Sequence, residues 1–281
     1  MNGNMKNNGY DIIILAGQSN AEGNGWHTAD DKEIINDRVY HLIDANPVGI
    51  YENEKGEAVL DIKMPAETIL EVAHERVWEG EPIADFSETF ADEYIKGGNL
   101  KGDRKVLIVK AAVGGAGFAK KQWGVGNPLS DRLFEMTDRA LSYSGENRVV
   151  ALLWHQGEHD ACENSALNEK ERYVFYYDNF YRQMKAVRDR YDKYAFPVIA
   201  GGFVPHWKWG LENEGKVQAV YRATQAALKD LGGGKFVSAE GLKSNDEAIR
   251  NGDDIHFCAS SVYELGRRYY SAFAEINNKR L

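Results

Sequence analysis

Residues 11–25 read DIIILAGQSNAEGNG, and the reading of this stretch decides the fold. The apolar run Ile12 to Leu15 has the length and β-branched content of a buried strand. It passes directly into Ala16-Gly17-Gln18-Ser19-Asn20, where small and polar residues replace it. A serine just beyond the C-terminal end of a buried strand stands where open α/β sheets place their ligands. If a helix or turn starts there, its free N–H groups point at whatever the hydroxyl meets. Near the other end, Asp253-Asp254-Ile255-His256 sets carboxylates and an imidazole immediately before the last helical pattern.

Outward from that first stretch, strand patterns recur at 105–113, 149–154, 196–200 and 236–238. Helical spacing marks 85–95, 129–140, 168–191 and 215–231, and a final helix carries Val262, Leu265, Tyr269, Phe273 and Ile276. Asp85 with Glu88 predicts a capping box for the first of these helices. Residues 20–68, with Asn46-Pro47 and ENEKGE at 52–57, show little periodicity. They are expected to form a long excursion beside the site, with short strands near 39–43 and 58–62. Strand, loop and helix alternate, which predicts an α/β fold: a three-layer α/β/α sandwich around a mostly parallel, doubly wound sheet. No repeat or linker interrupts the pattern, so a single domain over 1–281 is expected.

The formal charge of −9 and the lack of a basic block argue against nucleic acid and anionic membrane as partners. No apolar run approaches membrane-spanning length. The first ten residues, MNGNMKNNGY, contain no apolar signal segment, so a cytoplasmic address is the default expectation, a removed signal peptide staying open. Cys162 and Cys258 are the two cysteines; they do not make an oxidised scaffold, and one disulfide between them stays open. Oligomeric state is not legible.

Three small or polar loops follow three strands, at 16–20, 114–117 and 155–160, and would converge on one sheet edge. A serine hydroxyl needs a base to take its proton; Ser19 and His256 are the candidates. A carboxylate must hold the imidazole in the right tautomer, and Asp253 is the candidate with Asp254 its rival. Donors for an oxyanion are the Ser19 and Gly115 N–H groups and the Gln156 side-chain amide. Taken singly, a serine after a strand is ordinarily a helix cap and a loop histidine a surface residue. The combination of Ser19, Gly115, Gln156 and Asp253/His256 reverses that reading. Glu158 is expected to support the loop, including the orientation of Gln156. His155, Glu158, His159 and Asp160 invite a metal reading, but metal sites usually draw on more than one segment, and none is expected. Gly114 to Gly117 lacks dinucleotide spacing, so no cofactor is expected either. Asn20, Trp26, His27 and Trp123 are the candidate substrate contacts, and Trp207 and Trp209 add aromatic surface suited to a sugar.

GQSN at 17–20 followed by AEG, WHQGEHDA at 154–161 and DDIHF at 253–257 together resemble the sequence blocks of the SGNH hydrolase superfamily. The branch is that of family 6 acetylxylan-esterase-like and sialate O-acetylesterase-like carbohydrate esterases. The resemblance implies a metal-free serine esterase that removes O-acetyl groups from sugars by two-step acyl transfer. It implies Ser19 as nucleophile, His256 as base, Asp253 as its orienting acid and Gly115 as oxyanion glycine. The alternatives are a sialate O-acetylesterase or a catalytically weak carbohydrate-binding protein of the same fold. One departure matters: Gln156 stands where the wider superfamily uses an asparagine, which puts its oxyanion role in doubt. Lys120-Lys121 is an unusual polar pair near the expected pocket, read as solvated surface charge ahead of contact with an anionic sugar.

Overall fold

The computed structural model describes residues 9–44, 49–52, 58–61, 68–163 and 166–279. The apolar run near the start forms strand β1 (Tyr10–Gly17), and all eight of its residues are buried. A strand apolar on both faces has to lie inside a sheet covered on both sides. The other strands of that sheet are β2 (Val39–Asp44), β3 (Thr68–Val72), β4 (Lys105–Ala112), β5 (Arg148–His155), β6 (Val198–Gly201) and β7 (Gly234–Val237). Their order is β7-β6-β5-β1-β4-β2-β3. Neighbouring strands are parallel except at the edge, where β3 runs antiparallel to β2.

Five long helices flank the sheet: α1 (Phe86–Lys96), α2 (Pro128–Ser142), α3 (Glu169–Arg190), α4 (Glu214–Leu231) and α5 (Ala259–Asn278). α3 packs on α4 and α1 on α5, and Ser130 of α2 donates to Gln183 of α3 at 2.8 Å. This is the mostly parallel, helix-flanked α/β sheet that the alternating pattern predicts. At the N-terminal edge, the fully buried Asp11 carboxylate accepts from Tyr94, Arg104 and Arg148, tying β1, β4, β5 and α1 together. Buried charge is tolerated when it is paired and hydrogen-bonded in this way.

Two expectations change. Residues 39–44 are not a side excursion: β2 lies in the main sheet, beside β4. Residues 49–52 and 58–61 pair as an antiparallel hairpin; Asn46-Pro47, 53–57 and 62–67 lie outside the described residues. The capping box at Asp85 does not form. Asp85 caps α1 through the Ser87 N–H at 2.7 Å and pairs with Lys110, while Glu88 turns toward His41 at 3.5 Å. Asp85 serves the helix end and the Lys110 ammonium together, and the reciprocal bond to the Glu88 side chain is missing.

The parallel register sets the site. Gly17 pairs with Ala112 on one side and with His155 on the other, so three loops leave the sheet side by side. Gly17 has φ +153°, and a Cβ there would lie 2.0 Å from the His155 carbonyl oxygen. The missing side chain lets the chain turn against β5, where the Gln18 N–H donates to that same carbonyl at 3.0 Å. A second, smaller sheet of Gly25–Trp26, Glu81–Ala84 and Arg76–Trp78 stands beside the first loop.

Helices α1 and α5 meet at Gly266, where a Cβ would lie 2.6 Å from the Phe86 carbonyl oxygen and from Thr89 Cβ. Gly266→Val is expected to lower unfolding stability by about 1–3 kcal/mol, the usual cost of overpacking, read as a drop in urea midpoint at unchanged m-value.

Candidate active site

Ser19 opens the one-turn helix Ser19–Glu22 that follows β1. Its Oγ lies 2.8 Å from His256 Nε2, across 237 residues of sequence. His256 Nδ1 lies 2.9 Å from each oxygen of Asp253. With Nδ1–H donated to that carboxylate, Nε2 presents its lone pair to the serine hydroxyl. Burial works to raise the Asp253 carboxyl, but hydrogen bonds and charge from His256, with the Asn245 amide, outweigh it and hold the group below the ordinary carboxylate range. Asp254 faces elsewhere: its Oδ2 accepts from the Lys208 N–H at 2.9 Å.

These groups open into a cavity of about 420 Å³ whose lining includes Ser19, Asn24, Gly115, Glu158 and His256. The neighbouring Gly114 N–H is already donated to Glu22 Oε2 at 2.9 Å. The arrangement places a hydroxyl, a base and an orienting carboxylate in line, and this is the chemistry of acyl transfer.

Other expected site residues sit differently. Gln156 is buried, and its Nε2 donates to Asp160 Oδ2 at 2.7 Å, to the Ala116 carbonyl at 3.2 Å and to Gln18 Oε1 at 3.3 Å. A buried amide takes the acceptors around it, so this side chain is directed away from the cavity and Asp160, not Glu158, fixes it. Asn20 likewise spends its amide internally, on Glu158 Oε1, the Ile255 carbonyl and the Phe257 N–H. Trp123 is no sugar platform: it is fully buried, donates from Nε1 to the Gly17 carbonyl at 3.0 Å and packs edge-on against Trp154. His27 pairs with Glu75 at 2.6 Å, and the Trp26 N–H donates to Asn245; neither residue lines the cavity. Trp207 lines a separate cavity of about 590 Å³, with Trp209 against it at 5.0 Å between rings.

The compact His155–Asp160 cluster is divided by its partners. His155 faces Tyr269, His159 faces Glu163, and Asp160 accepts from the Phe118 and Ala119 N–H groups. Among the described residues, His41, Asp85 and Glu88 do bring possible ligand atoms within 4.8 Å of one another, but the Lys110 ammonium already occupies Asp85. Lys120 is exposed near Glu163, and Cys162 and Cys258 are both free thiols.

Three supporting residues escape a sequence reading. Asn245, buried at the start of the short helix Asn245–Ile249, donates to Asp253 Oδ2 at 2.9 Å and to the Asn24 carbonyl at 2.8 Å. Asn24 in turn donates to the Ser19 carbonyl at 2.6 Å. Gln18, inside the GQSN block, accepts from the Gly157 and His159 N–H groups. Gln18 adjoins the expected nucleophile, the one signal available; nothing in the sequence marks the two asparagines.

Fold and site together set a serine, a histidine and a carboxylate in line at the C-terminal edge of a mostly parallel α/β sheet. The chain belongs to the family described as carbohydrate esterase, sialic acid-specific acetylesterase, whose model matches residues 9–275. It is therefore a carboxylic ester hydrolase, an O-acetyl esterase of carbohydrates. No curated protein matches the sequence. Among solved structures, NanS is 18% identical with TM-score 0.73, over 97% of this chain and 99% of that one. A protein from Arabidopsis thaliana is 20% identical with TM-score 0.60, over 95% and 98%. A carbohydrate acetylesterase from Xanthomonas citri is 14% identical with TM-score 0.60, over 96% of this chain and 57% of that one. At these identities the likeness is one of fold. No helix among the described residues is long and apolar enough to cross a membrane.

Glu158 is buried at the cavity that also holds Ser19, and burial raises its carboxyl despite the hydrogen bond from Asn20. The folded chain thus keeps this proton at pH values where the unfolded chain has lost it. Stability from this group falls as pH rises from the ordinary carboxylate range toward the raised folded value. Glu158→Gln, which keeps an acceptor for Asn20, is expected to flatten that fall in a profile of Tm against pH; an unchanged slope contradicts the raised carboxyl.

Proposed function

We propose that the chain works as one catalytic domain in which Ser19 is the nucleophile, His256 the general base and Asp253 the carboxylate that orients it. The supporting observation is the continuous Asp253–His256–Ser19 hydrogen-bond line. Ser19 Oγ attacks the acetyl carbonyl carbon while its proton passes to His256 Nε2. The bond from the acyl carbon to the sugar oxygen breaks, and that oxygen leaves with the proton from His256. Water then attacks the acetyl-enzyme, again giving its proton to His256, and acetate departs as Ser19 is restored. The Ser19 and Gly115 N–H groups are the oxyanion donors in this reading. Gln156 acts at one remove, holding Asp160 and the third loop.

The substrate we propose is an O-acetylated neutral oligosaccharide of the acetylxylan type. Among the described residues the cavity lining includes no lysine or arginine, and a sugar carboxylate would ordinarily be met by one. An O-acetylated sialic acid is the second reading, favoured by the description of the matching family.

Acetate release from acetylated xylo-oligosaccharides, O-acetyl sialic acid and 4-nitrophenyl acetate tests both points. Ser19→Ala is expected to lower kcat by about 10⁴-fold or more on every ester that is turned over; retained turnover removes the nucleophile assignment. Asn245→Ala, which releases Asp253 from its amide, is expected to lower kcat about 10- to 100-fold through misplacement of the base, with KM little changed.

A further inference from the structure

Arg76 and Trp78 sit two residues apart on the short strand Arg76–Trp78, so their side chains leave the same face. The direction of that face is fixed by Arg76. Its guanidinium donates to Glu22 Oε1 at 2.8 Å, to the Gly23 carbonyl at 2.9 Å and to Asn24 Oδ1 at 3.4 Å. Glu22 and Asn24 line the cavity that holds Ser19. Trp78 follows outward on the same face, its ring centroid 5.8 Å from the Arg76 guanidinium carbon, and it is 53% exposed. Its alternate neighbour Val77, on the opposite face, is 65% exposed. Trp78 therefore leaves ring surface open to solvent next to an arginine that is bonded to two cavity-lining side chains.

From these observations we infer that Trp78 is a sugar-stacking platform at the rim of the active site. The inference rests on the carbohydrate esterase reading and deepens it. The ring of Trp78 receives the apolar face of a pyranose one or two units away from the acetylated sugar, so the preferred substrate is an oligosaccharide and not a free monosaccharide. The sugar on the platform is uncharged. The two terminal nitrogens of Arg76 are spent on Glu22, Gly23 and Asn24, and the Glu22 carboxylate offsets its charge. The exposed carboxylates Glu79 and Glu81 flank Trp78 and oppose one. The small sheet supplies the rigidity: Trp78 pairs with Glu81, and its partner strand pairs with Trp26 in the loop that follows the nucleophile.

The test compares acetylated xylotriose, acetylated xylose and 4-nitrophenyl acetate as substrates for the wild type, Trp78→Ala and Trp78→Phe. The wild type is expected to show a lower KM for the trisaccharide than for the monosaccharide. Trp78→Ala should lower the ratio of kcat/KM on xylotriose to kcat/KM on 4-nitrophenyl acetate about three- to tenfold, the worth of one stacked ring, mainly through KM. Trp78→Phe should hold the ratio within about twofold of wild type, because a ring face remains. A ratio unchanged in Trp78→Ala, equal KM for the two sugars in the wild type, or no turnover of the neutral trisaccharide overturns the platform. A general folding defect moves both substrates together, leaves the ratio unchanged, and so counts against it. Failure of the esterase reading is separate: it appears as 4-nitrophenyl acetate turnover surviving Ser19→Ala, whatever Trp78 does.

Discussion

The site depends first on the side-chain amide of Asn20. One buried group donates to Glu158 Oε1 and the Ile255 carbonyl and accepts from the Phe257 N–H. Asn20 and these partners belong to the first, third and last loops, which meet only in three dimensions. Ser19 is the residue before Asn20, and His256 lies between the two backbone partners of Asn20, so the amide fixes the serine hydroxyl and the imidazole relative to each other. Each of these polar groups is costly to bury unpaired. The network therefore forms completely or the loops do not pack.

The surrounding structure holds that joint rigid. Parallel register brings Gly17, Ala112 and His155 to the same level of the sheet. Gly17 allows the turn, Trp123 backs it from beneath through the Gly17 carbonyl, and Gln18 ties it to the third loop. On the other side, Asn245 holds Asp253 and the Asn24 carbonyl at once. The aligned groups themselves stay partly exposed: the side chains of Asp253 and His256 retain 23% and 22% of their accessible surface. Immobile surroundings and reachable reacting atoms are what a preorganised site requires.

Electrostatics divides the carboxylates by environment. Asp253 receives His256 and Asn245 and is held below the ordinary carboxylate range, while burial pushes Glu158 toward its neutral form despite the Asn20 amide and backbone N–H donors. Two acids near one imidazole thus differ in charge because one is far more deeply buried and the other is better partnered. The nearby histidines diverge similarly. Burial drives His155 down to about 3, keeping it neutral among Phe86, Phe257 and Tyr269, whereas His256 sits at the cavity with a carboxylate behind it. Only His256 of the pair has both a partner and access.

The sequence by itself determined strands β1, β4, β5, β6 and β7, the long helices, their alternation, and the residues Ser19, Asp253 and His256, which the structure brings into one line. The place of β2 in the main sheet, the edge strand β3 and the small second sheet came only with the structure. Apolar runs and helical periodicity report burial directly, and short-range blocks such as DDIHF carry their own turn geometry. The tertiary structure alone decided where the polar and aromatic side chains point. Gln156 and Asn20 look like donors to a ligand in sequence, yet each meets nearer acceptors once the loops pack. Trp123 and Trp78 are chemically identical in sequence; one is sealed under the nucleophile loop and the other stands in solvent. Asn245 became a partner of Asp253 only through a contact across the loop. The physical reason is common to all of them: a hydrogen bond or an exposed ring face is settled by which surfaces packing brings within reach, and that is a property of the assembled chain, not of local sequence.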